Sequence, residues 1–281
     1  MKWSNIKELL MHILFFLTAC VSIFAVVLIC VFLFANGIPA IGKIGVFNFL
    51  LGTKWKPGND IYGILPMILG SLYVTAGAII IGVPIGLLTA VFLAKFCPKG
   101  LYKILKPATE LMAGVPSVVY GFFGLVVLVP LVQNIFGVAG NTMLTASVLL
   151  GIMILPTIIG VSESAIRAVP DSYYALGASH ERSVFFATLP AARSGILAGV
   201  VLGIGRAIGE TMAVVMVAGN KARMPQGLLD GVRTMTANIV MEMGYATDLH
   251  REALIATAVV LFVFILMINV TFSLLRRKDR A

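Results

Sequence analysis

An all-α bundle of six membrane-spanning helices follows from three features of the sequence. Hydrophobic residues make up 59% of the chain and charged residues only 12%, against about a quarter charged in soluble domains. Charge-poor apolar runs recur six times, each near the roughly 20 residues that a helix needs to cross a hydrocarbon core of about 30 Å. Lysines and arginines fall unevenly between alternate connections, as they do in polytopic membrane proteins.

Taken in order, the sequence predicts spans over 13–35, 68–93, 111–132, 143–161, 194–218 and 253–275. The first run, Ile13 to Ala35, has 23 residues. That exceeds a signal-peptide core of about 7–15 residues and no convincing small-x-small site follows, so it is expected to stay as an anchor. Between Lys106 and Glu163 the only charge is Glu110, a stretch too long for one crossing, and the Gly- and Asn-containing segment from Asn134 to Asn141 marks the turn between two. Residues 1–62 thus read as an anchor helix plus a first loop, and residues 63–281 as the main transmembrane domain. With the N-terminus in the cytosol, thirteen basic residues lie inside and seven outside, with Arg206 within a span. Both termini, and the polar segment 162–193, are expected to be cytoplasmic.

Several function classes drop out. The net charge of +9 is spread over loop ends that meet lipid headgroups, with no basic stripe interleaved with aromatics, so nucleic acid is not an expected partner. Cys20, Cys30 and Cys97 have neither disulfide nor metal spacing. His12, His180 and His250 are not spaced as metal ligands, and no catalytic constellation emerges. The segment Gly37-Ile-Pro-Ala-Ile-Gly42-Lys43 matches phosphate-loop spacing, but Ile44 stands where Ser or Thr is needed and no strand precedes it. No cofactor is expected on this chain, and any ATP must be bound elsewhere.

The segment 162–193 carries a charged interlude in an otherwise apolar chain. Pro170 suits a helix start, and Asp171 complements its positive end. Gly177 permits a bend, and a second short helix over 181–186 is expected to end at Leu189-Pro190.

The fifth span holds two ionisable groups. Glycines at 195, 199 and 203 share one face and allow a neighbouring helix to approach closely. Arg206 and Glu210 are four residues apart, so on a continuous helix they can pair. They are expected roughly 18 Å and 24 Å along the span, in its outer half. Either they form a structural ion pair or they meet a substrate, because each such charge costs about 2.5–3.5 kcal/mol on insertion. Glu110 is expected to pair with Lys106 one turn earlier. Pro116 frees backbone groups in the third span, and Ser117 and Tyr120 are candidates to line the resulting path.

The segment around Gly177 resembles the EAA loop of binding-protein-dependent ABC importers. Gly177, Leu189 and Pro190 stand at that motif's spacing, whereas Asp171-Ser172-Tyr173 replaces its Glu-Ala-Ala. The blocks Gly205-Arg206-Ala-Ile-Gly209-Glu210-Thr211-Met-Ala-Val and Val115-Pro116-Ser117-Val-Val-Tyr120-Gly121, with Trp55-x-Pro57 and Tyr62-Gly63-Ile64, are similar to phosphate permease subunits of the PstC type. The resemblance implies a type I importer fold and a non-catalytic transport subunit. It implies coupling to an ATPase through Asp171, Ala175, Gly177, Ala178, Leu189 and Pro190, and translocation of inorganic phosphate past Arg206, Glu210, Thr211, Ser117 and Tyr120. The implied partners are a homologous second permease, two cytoplasmic ATPase subunits holding ATP and Mg, an extracytoplasmic phosphate-binding protein and membrane lipid. The alternatives are a permease for sulfate or molybdate, or an ion-coupled secondary transporter. The latter should show inverted repeats and paired broken helices, which are not evident in the sequence.

Overall fold

Six helices are long and apolar enough to cross a membrane among the described residues of the computed structural model, which are 2–170, 177 and 179–278. Helix α1 (Lys2–Ile44) and the short α2 (Val46–Leu51) lead into a two-stranded hairpin, β1 (Trp55–Lys56) and β2 (Ile61–Tyr62), which pairs Trp55 with Tyr62. Helix α3 (Leu65–Val91) ends in a π-turn, Phe92–Phe96, and α4 (Lys99–Gly114) follows. Next come α5 (Ser117–Phe123), a π-turn and α6 (Val129–Phe136), which together make one crossing. Helix α7 (Met143–Arg167) returns across the bundle. Beyond residue 179 run α8 (His180–Ser183), a π-turn and α9 (Leu189–Gly209), then α10 (Met212–Val217), α11 (Met235–Glu242) and α12 (Asp248–Lys278).

The centre of the bundle is α7, flanked by α3 and α9. Small residues bring these helices together, as the glycine spacing in the fifth span requires. A Cβ on Gly203 would meet Ile158 Cγ1 at 2.9 Å, and one on Gly199 would meet Ser162 Oγ at 3.0 Å. On the other flank, a Cβ on Gly82 of α3 would meet Gly151 O of α7 at 2.8 Å. With lipid as apolar as the side chains, such backbone-close packing is what holds membrane helices together. Val74, Ala78, Leu149, Leu150, Ile154 and Ile158 fill the seam. Helix α1 packs along α12 through Gly37 against Ala256 and Val259, and Phe34 meets Phe262 edge-on at 5.8 Å.

The spans differ from the sequence expectation at three places. The third crossing starts at Ser117 rather than Leu111, because the chain is extended at Val115 and Pro116 and separates α4 from α5. A proline disfavours helix in the residue before it, and α4, with no buried residue, has little packing to resist the break. The short helix expected over 181–186 does not end at Leu189-Pro190 but continues into the fifth crossing. It runs from His180 to Gly209, with a π-turn over Val184–Thr188 that accommodates the missing proline donor. Nor does it continue to Ala218: Glu210 is extended (φ −68°, ψ 131°) and α10 begins anew at Met212. Broken helices are therefore present at 115–116, where Pro116 marked an interruption in the sequence, and at 210–211, where the sequence carried no such sign.

The glycine seam yields a prediction. Gly82→Leu should destabilise the protein in detergent by ~1–3 kcal/mol through overpacking against α7. Gly100→Leu, whose Cβ meets nothing within 4 Å, should leave the thermal midpoint nearly unchanged. Equal midpoints for the two variants would contradict the seam.

Candidate functional site

Arg206 sits in the last turn of α9, and its Nη1 lies 3.4 Å from Thr157 Oγ1 on α7. Thr157 is ten residues from the Arg167 end of α7 and fourteen from its Met143 end, so Arg206 lies near the middle of the bundle rather than in its outer half. The pairing with Glu210 that the i, i+4 spacing suggests does not form, because the helix breaks between them. Glu210 Oε1 instead accepts the Ala213 amide at 3.2 Å and caps α10, while Thr236 Oγ1 donates to Glu210 O at 3.1 Å. A carboxylate complements a positive helix start, which gives it a local task at the break. Among the described residues no carboxylate forms an ion pair with Arg206.

Tyr120 joins this centre from α5. It is buried in the same packed cluster as Ala207, the neighbour of Arg206, and its hydroxyl donates to Met112 O across the 115–116 break at 2.9 Å. Ser117 stands one turn before it at the start of α5, half-buried. Thr211 Oγ1 donates to Gly209 O at 3.2 Å, taking up one carbonyl freed at the end of α9. Helices α5 and α10 pack through Gly121, whose Cβ would meet Ala213 Cα at 3.0 Å and Met216 Sδ at 2.6 Å. The two helix breaks thus face each other across a half-buried, positively charged centre. Of the residues expected to couple to an ATPase, Gly177 adopts φ +82°, a left-handed bend that suits glycine. Leu189 and Pro190 open the α9 segment of a continuous helix. Asp171, Ala175 and Ala178 lie outside the described residues.

Further along α10 opens a cleft of about 690 Å³, lined in part by Asn141, Met216, Asn220 and Lys221. Beside it Asp230 accepts from Lys221 Nζ at 3.0 Å, from Arg223 Nη2 at 2.9 Å and from the Gly231 amide at 2.9 Å. Burial pushes its carboxyl upward, but the hydrogen bonds from Lys221 and Arg223 outweigh that and hold it below the ordinary range.

Two buried carboxylates were not singled out from the sequence. Glu163, 1% exposed, accepts from Lys106 Nζ at 2.7 Å, Arg167 Nε at 2.8 Å and Tyr102 Oη at 2.8 Å. Lys106 does approach Glu110, at 3.6 Å, but Glu163 is its closer partner. Burial works against the Lys106 ammonium, yet the bond to Glu163 raises its pKa overall, so it stays charged. Glu242 joins Arg233 Nη1 at 2.6 Å, His250 Nε2 at 2.8 Å and Trp55 Nε1 at 2.8 Å. Glu163 and Arg167 had a readable signal, an acid and a base four apart at the end of an apolar run. The Trp55–Glu242 contact spans 187 residues and had none.

Residues 82–280 match the family of binding-protein-dependent transport system inner membrane components. The chain belongs to that family. This inner membrane component is 37% identical over 278 residues to a probable ABC transporter permease, YqgH, of Bacillus subtilis, covering 93% of this chain and 89% of the relative. It is 34% identical to the phosphate transport system permease PstC of Mesorhizobium japonicum, covering 90% and 85%. In fold it is similar to a solved bacterial ABC transporter involved in import of the polysaccharide alginate (TM-score 0.63, 15% identity, 98% of each chain). It is similar also to the MetNI methionine ABC transporter in an inward-facing form (TM-score 0.63, 18% identity, 80% and 99%). The chain is thus a multi-pass membrane transport component of the type I importer fold.

The Asp230 bridges carry a pH dependence. A carboxyl lowered on folding stabilises the fold above its unfolded pKa, and that contribution fades as pH falls through the folded value. The loop 218–234 should therefore resist an acid-active protease at mildly acidic pH and become susceptible as the pH falls below the ordinary carboxylate range. Asp230→Asn should be susceptible already at neutral pH, and an unchanged cleavage profile would contradict the assignment.

Proposed function

We propose that this chain is one permease subunit of an ATP-driven importer of inorganic phosphate, and that Arg206 is its substrate contact. The observation that carries this reading is a guanidinium near mid-bundle, at a helix break, with no carboxylate paired to it among the described residues. Such a charge is costly to insert and is stabilised when an anion occupies the path. The planar guanidinium fork matches an oxyanion with charge-assisted hydrogen bonds. The named phosphate permeases among the relatives favour phosphate over sulfate or molybdate. The family match supports an ABC importer over an ion-coupled carrier, although two helices are broken.

The half-buried position of Arg206 leaves one side open to a second permease, and a homologous subunit completes the path there. The Arg167 end of the bundle and both termini face the cytosol, consistent with the basic-residue bias. There the segment around Gly177 docks one of two ATPase subunits, which hold ATP and Mg. This chain itself carries neither cofactor nor catalysis. The opposite end, with the Trp55 hairpin and the Lys221–Asp230 loop, receives the extracytoplasmic phosphate-binding protein. In this reading Glu210 orders the break rather than restraining Arg206, and Ser117, Tyr120 and Thr211 contribute neutral hydroxyls along the path.

Arg206→Gln should lower ATP-dependent uptake of labelled phosphate about a hundredfold, through loss of charge-assisted hydrogen bonds worth ~1.5–3 kcal/mol each. Recovery of the assembled complex should be unchanged. Full transport by this variant, or equal inhibition of the wild type by sulfate and unlabelled phosphate, would overturn the assignment of residue or substrate respectively.

A further inference from the structure

We propose that Glu163 is a positioning residue for transport, clamping α4 to the cytoplasmic end of α7 so that movement of the coupling segment reaches Tyr120 and Arg206. This inference rests on the ATP-driven reading above. The Glu163 carboxylate has three donors on two helices: Tyr102 and Lys106 on α4, and Arg167 on its own α7. Arg167 is the last residue of α7 and lies within the polar segment 162–193. Its Nη2 donates to Leu93 O at 2.7 Å, and its guanidinium stacks 4.3 Å above the Tyr102 ring. One buried carboxylate therefore joins the end of α7, the π-turn after α3 and the first half of α4.

The clamp matters because of how differently α9 and α4 are held. Helix α9 is packed against α7 through Gly199 and Gly203, so Arg206 rides with α7. Helix α4 buries no residue at all. Its place is set by polar links near its two ends, the Glu163 cluster at one and the Tyr120 hydroxyl on Met112 O at the other. A displacement of Arg167 thus drags α4 through Glu163, and α4 carries the carbonyl that holds Tyr120 beside Arg206. A buried carboxylate stripped of its ionic partners is strongly unfavourable, so the cluster moves as a unit. Neutralising Glu163 leaves α7 and α9 together and frees α4 from them.

The test uses the complete transporter in proteoliposomes, comparing phosphate moved per ATP hydrolysed. Glu163→Gln should lower that ratio about tenfold, the size of an ordinary coupling free energy. Complex yield and ATP hydrolysis should stay near wild type. An unchanged ratio in the assembled complex would overturn the proposal and leave Glu163 a support of the fold. Should Glu163→Gln fail to assemble, Tyr102→Phe decides. It removes one donor and keeps both ion pairs, so the ratio should fall about threefold, as the loss of one ordinary hydrogen bond implies, and an unchanged ratio counts against the proposal. Wild-type uptake independent of ATP would instead overturn the underlying importer reading, which separates the two failures.

Discussion

Inside a bilayer every backbone amide and carbonyl must find a partner within the protein, and this requirement governs the two places where the helices stop. At 209–211 the side chains supply what the helix gives up. Glu210 Oε1 takes the Ala213 amide, Thr236 Oγ1 serves the Glu210 carbonyl, and Thr211 Oγ1 serves that of Gly209. At 115–116 the Tyr120 hydroxyl reaches back to Met112 O. The breaks are therefore built features with polar partners. Their juxtaposition through Gly121 and Met216 creates a region near mid-bundle where irregular backbone and a cation coincide.

The distribution of charge separates support from function. Glu163, Asp230 and Glu242 each hold two basic partners, so their charges are answered locally. Such clusters tie distant segments into one body: α3, α4 and α7 at one end, and the Trp55 hairpin, α11 and α12 at the other. Among the described residues Arg206 has the Thr157 hydroxyl, at a long 3.4 Å, as its hydrogen-bond partner. A cation left in that condition is suited to a guest that brings the opposite charge.

Much of this was legible in the sequence, because hydrophobic length and glycine spacing act locally. The six crossings follow from apolar run length, and the close approach of α9 to α7 follows from Gly199 and Gly203. The break at Glu210 was not legible. Residues 205–214 are apolar enough to continue a helix, and the competing interaction comes from Thr236, twenty-six residues on. Reading Arg206 and Glu210 as a pair failed for the same reason, since i, i+4 spacing brings side chains together only on an unbroken helix. The Glu163–Arg167 half of the buried cluster was legible as an i, i+4 pair, but its link to Lys106, fifty-seven residues away on another helix, was not.

The central claim is that the break beside Arg206 faces an aqueous path. Thiol accessibility at Gly209→Cys tests it most directly, in a chain whose Cys20, Cys30 and Cys97 are replaced by serine. Residue 209 is exposed, and a Cβ there meets nothing within 4 Å. A membrane-impermeant maleimide should label this cysteine in the assembled transporter, and millimolar phosphate should slow the reaction. Absence of labelling in every nucleotide state, while a cysteine at Gln226 in the loop reacts fully, would contradict the account.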